Sequence, residues 1–183
     1  MSRPARIAVP GVVALVLVVL AGVWLAGRGD ERTLPDSLCG TRVGAEFLEP
    51  LLPADGDVSQ DDGVDRNDPK PSSWCLVTAG GESALRLRFA WHSDRIDPLR
   101  IAESHSSVSF LEVPERVKVP KSRAVIGNNG AIATAPCTTA EGSYFTLSVL
   151  LDGVDQTRVT YRPSLEKFLR SYFPATLDTL DCD

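Results

Sequence analysis

The plainest alternation of apolar and polar positions lies at residues 84–91. There Leu85, Leu87, Phe89 and Trp91 point one way, and Arg86, Arg88 and then His92 point the other. A period of two marks a strand covered on one face and wet on the other. With residues 74–79 before it, across Gly80-Gly81, it predicts a β-hairpin. The alternation returns at 144–151, where Phe145, Leu147, Val149 and Leu151 share a side before Asp152-Gly153 turns the chain towards Val159. Further strands are expected at 108–113, 124–126 and 131–135. Gly127-Asn128-Asn129-Gly130 supplies the turn between the last two.

Helical spacing appears in three places. Thr41 is expected to cap a helix carrying Val43, Phe47 and Leu48 on one face, with Pro50 and Pro53 ending it. Asp97-Pro98 opens a short helix to about His105, a cap followed by proline at the first helical position. Ser164 is expected to cap a terminal helix with Leu165, Phe168, Leu169, Tyr172 and Phe173 in one stripe, kinked or split by Pro174. The fold class expected is α+β. An antiparallel sheet of about five or six strands would carry helices near both ends of the domain on one face.

One stretch fits no globular pattern. Residues 7–26, IAVPGVVALVLVVLAGVWLA, are uncharged and apolar. At ~1.5 Å rise per residue they span roughly 30 Å, the thickness of a bilayer core. Arg3 and Arg6 stand before the run, while Arg28 and Arg32 beyond it are offset by Asp30 and Glu31. The N-terminus is therefore expected in the cytoplasm and the remainder outside. A cleaved signal peptide would have a shorter apolar core and a better small-x-small site than VWLAG. A lipoprotein would need a Cys directly after the run, whereas Cys39 follows a polar stretch. The organisation expected is a cytoplasmic tail (1–6), a transmembrane anchor (7–26), a linker (27–38) and one extracytoplasmic domain (39–183). The tail is too short for an effector domain, so any signalling would pass through another membrane protein.

Charge narrows the partners. Nineteen Lys and Arg against 24 Asp and Glu give −5, and setting aside Arg3 and Arg6 leaves −7. An acidic domain without a dense basic stripe repels a phosphate backbone, so no nucleic-acid partner is expected. Residues 54–73 hold Asp55, Asp57, Asp61, Asp62, Asp65 and Asp68 with Pro69 and Pro71, and read as a mobile acidic loop. A calcium loop is ruled out, because Gln60 stands where a turning Gly is needed and Arg66 where a bidentate Glu is needed. In VPERVKVPKSR, Pro114, Lys118, Pro120, Lys121 and Arg123 crowd together. That is the composition of a protected sheet edge. Its functional alternative is a basic patch for anionic envelope polymer or lipid headgroups.

Chemistry-bearing motifs are missing. No GxSxG elbow accompanies the two histidines, His92 and His105, and no HExxH or HxH spacing makes them metal ligands. Both read as ordinary surface histidines. A CxxC pair and phosphate-binding glycine loops are absent too, so no catalytic residue, metal site or cofactor is assigned. Cys39, Cys75, Cys137 and Cys182 are even in number and widely dispersed. Outside the cytoplasm that favours two structural disulfides, with three connectivities open.

The cysteine placement carries a resemblance. A Cys stands before a short helix, a second lies on a strand (SSWCLV), a third enters a late strand (PCTTAEGSYFTLSV) and a fourth closes a terminal helix (LDTLDC). This layout, over most of 39–183, resembles uncharacterised actinobacterial membrane-anchored or lipoprotein-type four-cysteine domains, which look related to extracytoplasmic sensor-type domains. The resemblance implies a disulfide-braced α+β domain with Cys39 joined to Cys75 and Cys137 to Cys182. It transfers no functional residue.

The function expected is a single-pass, membrane-anchored binding or protein-interaction module of the cell envelope, non-enzymatic and with its ligand unspecified. Its partners are the bilayer, through 7–26, and a membrane protein. Two alternatives stand beside it: an envelope hydrolase with a site assembled across loops, and an accessory subunit of a membrane transporter or kinase.

Overall fold

Both strongly alternating segments become central strands of one sheet. The computed structural model describes residues 34–65, 70–105, 108–180 and 182. The expected tail and anchor, and most of the linker, lie outside the described residues. Among the described residues no helix is long and apolar enough to cross a membrane. The strands are β1 (Ser37–Leu38), β2 (Thr41–Arg42), β3 (Val58–Asp62), β4 (Ser72–Ala79), β5 (Glu82–His92), β6 (Glu115–Val117), β7 (Arg123–Ile126), β8 (Gly130–Thr139) and β9 (Gly142–Leu151). The helices are α1 (Ala45–Leu48), continued by a 3-10 turn Glu49–Leu51, then α2 (Pro98–Glu103) and α3 (Arg162–Leu177).

The main sheet is antiparallel and seven-stranded, in the order β3-β4-β5-β9-β8-β7-β6, and β1-β2 form a separate hairpin. The fold is α+β, with more strands than expected. β3 falls in the stretch read as a mobile acidic loop. It lies at the sheet edge and four of its five residues are exposed, so it shows no apolar alternation to read. β6, at the opposite edge, is short and mostly exposed, so it too shows no alternation to read. Residues 108–113, expected as a strand, form none. Leu111 N–H bonds the Ala102 carbonyl at 2.9 Å, Glu112 N–H bonds the Asn129 side chain at 2.8 Å, and Val113 sits at φ 48. Gly80 and Gly81, at φ 61 and 84, make the β4-β5 turn in a conformation that suits glycine.

One sheet face carries the main core. Leu85, Leu87 and Phe89 of β5 and Phe145, Leu147 and Val149 of β9 are fully buried there, beneath Leu165, Phe168, Leu169, Tyr172 and Phe173 of α3. Phe145 and Phe173 stack with centroids 6.0 Å apart. Leu48 and Leu51, on the α1 turn, join the same cluster. α2 lies elsewhere: its Ala102, with Leu111, covers Val125, Ile132 and Leu150 on the other face.

Helix boundaries differ from expectation at the caps. Gly44, not Thr41, precedes α1; Thr41 is a buried β2 residue whose hydroxyl meets that of Thr176 at 3.2 Å. α3 starts earlier than Ser164, after Tyr161 with Pro163 in its first turn, and it runs through Pro174 unsplit. The disulfides are Cys39–Cys75, tying the β1-β2 turn to β4, and Cys137–Cys182, tying β8 to the chain beyond α3. They are the pairs the cysteine resemblance implied.

Candidate functional site

The outer face of the sheet, opposite the main core, is only partly covered. Near the β3 edge it is open, and Trp74 and Leu76 of β4 are 41% and 36% exposed. The Arg88 guanidinium lies 5.4 Å above the Trp74 ring, steadied by a 3.0 Å bond from its Nε to the Ser72 hydroxyl. α2 and residues 108–112 shield the other end. Between α2 and the β6-β7 turn runs a groove.

Strand register builds the floor of that groove. Arg123 pairs with Thr134 and Thr134 with Thr146, while one step along Pro136 pairs with Tyr144 and Tyr144 with His92. The Thr134 and Thr146 hydroxyls meet at 3.1 Å and are buried, so the floor's own polar groups are satisfied. The wall on one side is the β6-β7 turn, anchored by buried Val119. Ser122 closes this turn on the Val119 carbonyl through its N–H and hydroxyl, and Lys121 is held at φ 58. The other wall is the chain entering α2. Asp97 caps that helix by accepting from Leu99 N–H at 3.1 Å, and buried Pro98 seats it on the sheet. Arg95 and Ile96, just before the cap, are thereby held across from Lys121 and Arg123.

A cleft of about 420 Å³ results, lined by Arg95, Ile96, Lys121, Arg123, Pro136 and Tyr144 among others. It continues in both directions. Through Ser122 and Arg123 it meets a second cleft bearing Arg116 and Lys118, and through Arg95 and Ile96 a third bearing Arg100 and Ser104. One acid, Asp97, lines the third cleft and is already engaged. Asp97 holds Arg116 in a two-pronged pair at 2.7 and 3.0 Å, which keeps its carboxyl below the usual carboxylate range. Among the described residues, Arg95, Lys121 and Arg123 have no ion-pair partner. The acidic stretch, with Asp61 and Asp62 on β3, is at the opposite edge, three to five strand intervals from the β9, β8 and β7 floor, or roughly 14 to 24 Å away. That exceeds the ~8 Å screening length at physiological salt, so it does not neutralise the groove.

The structure separates the two histidines. His105 is exposed and packs on the Phe110 ring with centroids 4.6 Å apart. His92 departs from the surface reading: it is half-buried and its Nε2 is buried with no hydrogen-bond partner. Burial, and then the Arg88 charge, hold its pKa below the usual histidine value. Neither histidine lines the groove. The four cysteines, the only site residues assigned from the sequence, are all in disulfides and brace the scaffold away from it. Among the described residues, no group of three His, Cys, Asp or Glu side chains is placed to hold a metal ion.

The groove itself escaped sequence reading, although half its signal was visible. Lys118, Lys121 and Arg123 stand in the Lys-Pro cluster assigned to edge protection, and β6 is indeed a sheet edge. Arg95 and Tyr144 come from distant stretches, and only the register brings them alongside. No protein-family model, no characterised protein and no solved structure matches this chain.

Proposed function

We propose that this chain is a membrane-anchored, extracytoplasmic binding module of the cell envelope, acting by holding a ligand or partner and not by catalysis. The groove carries this reading: an open, cation-lined channel on the sheet, in which Arg95 and Arg123 have no ion-pair partner among the described residues. Two disulfides in the domain suit an oxidising compartment. That agrees with residues 7–26 forming a single transmembrane helix before the domain, with the N-terminus cytoplasmic. The hydrolase alternative would be favoured by a cleft enclosing a histidine with a serine and an acid. The groove holds Ser122, Ser104 and Asp97 with its cations and aromatic ring, but no histidine lines it.

Photo-crosslinking in intact cells tests the reading. A crosslinking residue at position 123 is expected to capture an envelope component, and one at position 61, on the opposite edge, is not. Hydrolysis of ester, peptide or glycan substrates by the purified full chain, lost in His92→Gln, would overturn it.

A further inference from the structure

We infer that the groove takes an anionic glycan, a chain of sugars carrying repeated acidic groups. The inference rests on the binding-module reading and names its ligand class. The shape comes first. Clefts of about 450, 420 and 440 Å³ share lining residues end to end, which makes a channel for an extended ligand in place of a single closed pocket.

Cation placement follows the same line. Lys118 stands in one outer cleft, Arg95, Lys121 and Arg123 in the central one, and Arg100 in the other outer cleft. A lone phosphate is best held by donors converging on one point. Cations strung along a channel instead match charges that recur along a polymer.

The central cleft adds what a sugar needs. Tyr144, Pro136 and Ile96 give it apolar surface for the C–H face of a sugar ring, and the Ser122 hydroxyl, donating to Val119, keeps its lone pairs free to accept. A membrane surface fits less well. Bilayers press on flat or convex patches where cations flank exposed apolar side chains. Here the cations border a concavity; the exposed Trp74 and Leu76 lie towards the far edge of the sheet, and the exposed Val108 and Val113, between α2 and β6, line none of the three clefts.

The test is calorimetric titration of the full chain in non-ionic detergent with two matched pairs of probes. These are oligogalacturonate against its neutral methyl ester, and dextran sulfate against dextran. Binding of at least one anionic member and neither neutral one is expected, weakening as salt rises. R95Q and R123Q should each weaken it about five- to tenfold, near 1 to 1.4 kcal/mol. Y144A should weaken it similarly while Y144F keeps the ring and the affinity. R170Q, on the helix of the opposite face, should leave it unchanged. Equal binding of the neutral members, equal affinity in the groove variants, or no binding to either anionic probe would overturn the glycan assignment. So would binding to phosphatidylglycerol vesicles alone, which would leave the module reading standing with a membrane as occupant. Cleavage of the oligosaccharide would instead overturn the module reading itself.

Discussion

The Tyr172 hydroxyl donates to the Leu38 carbonyl at 2.7 Å, across 134 residues of sequence. Four residues on in α3, Thr176 meets Thr41 at 3.2 Å, so one helix face holds both strands of the β1-β2 hairpin. Around this seam sit the Cys39–Cys75 bridge and the buried stripe of α3. Tyr172→Phe keeps the ring and removes the bond, and is expected to cost about 1 to 2 kcal/mol. Phe168→Ala, which empties a fully buried site, should cost about 3 to 5 kcal/mol. Urea denaturation ranks the two. Equal losses would mean the hydroxyl is as important as the packing, contrary to this account.

The disulfides close chain separations of 36 and 45 residues. Loop-closure entropy alone makes their expected contributions similar, about 3 to 4 kcal/mol each. Cys39→Ser with Cys75→Ser, and separately Cys137→Ser with Cys182→Ser, should lower the denaturation midpoint by comparable amounts. Unreduced protein should give no thiol labelling with maleimide, and full labelling only after reduction and unfolding. Labelling of native, unreduced protein would contradict the pairing.

His92 predicts a particular pH dependence. Its folded pKa lies below the ordinary 6.5, so on acidification the unfolded chain takes up that proton first. Stability from the neutral imidazole is fully present above about pH 6.5 and is lost as pH falls through the lower folded value. His92→Gln should flatten the fall in urea midpoint as pH drops below about 6.5. An unchanged slope would assign the acid sensitivity to other groups.

Asn129 is a buried bracket. Its Oδ1 accepts from Glu112 N–H at 2.8 Å and its Nδ2 donates to the Phe110 carbonyl at 3.2 Å. The neighbouring Asn128 accepts from Arg162 Nε at 2.7 Å and donates to the Gln156 carbonyl at 2.9 Å. Asn129→Ala strands two backbone groups and should cost about 2 to 3 kcal/mol. Hydrogen exchange should rise first at residues 110–112. If exchange there stays unchanged, that loop is held by something else.

The turn at 127–130 shows how legibility stops. Its residue types announced a turn, but not that its asparagines pin a separate loop and the start of α3. Gly130 is required for another non-local reason: a Cβ there would overlap the Val149 carbonyl on the next strand. β4 and β5 were readable because burial of one face imposes a period of two, and β9, buried on both faces, was readable because Thr146 and Ser148 alternate with its apolar residues. The edge strands β3 and β6 were not, since exposure leaves no such period.

The sequence by itself determined the alternating strands, the stripe of α3, the Asp97-Pro98 start of α2 and the hairpin at Gly80-Gly81, because each rests on neighbours within a turn or a strand. Tertiary structure decided the strand order, the side of the sheet that α2 covers, and the meeting of Arg95, Arg123 and Tyr144 in one groove. Those depend on the pairing of segments far apart in the chain, where register, and not local preference, determines which side chains stand together.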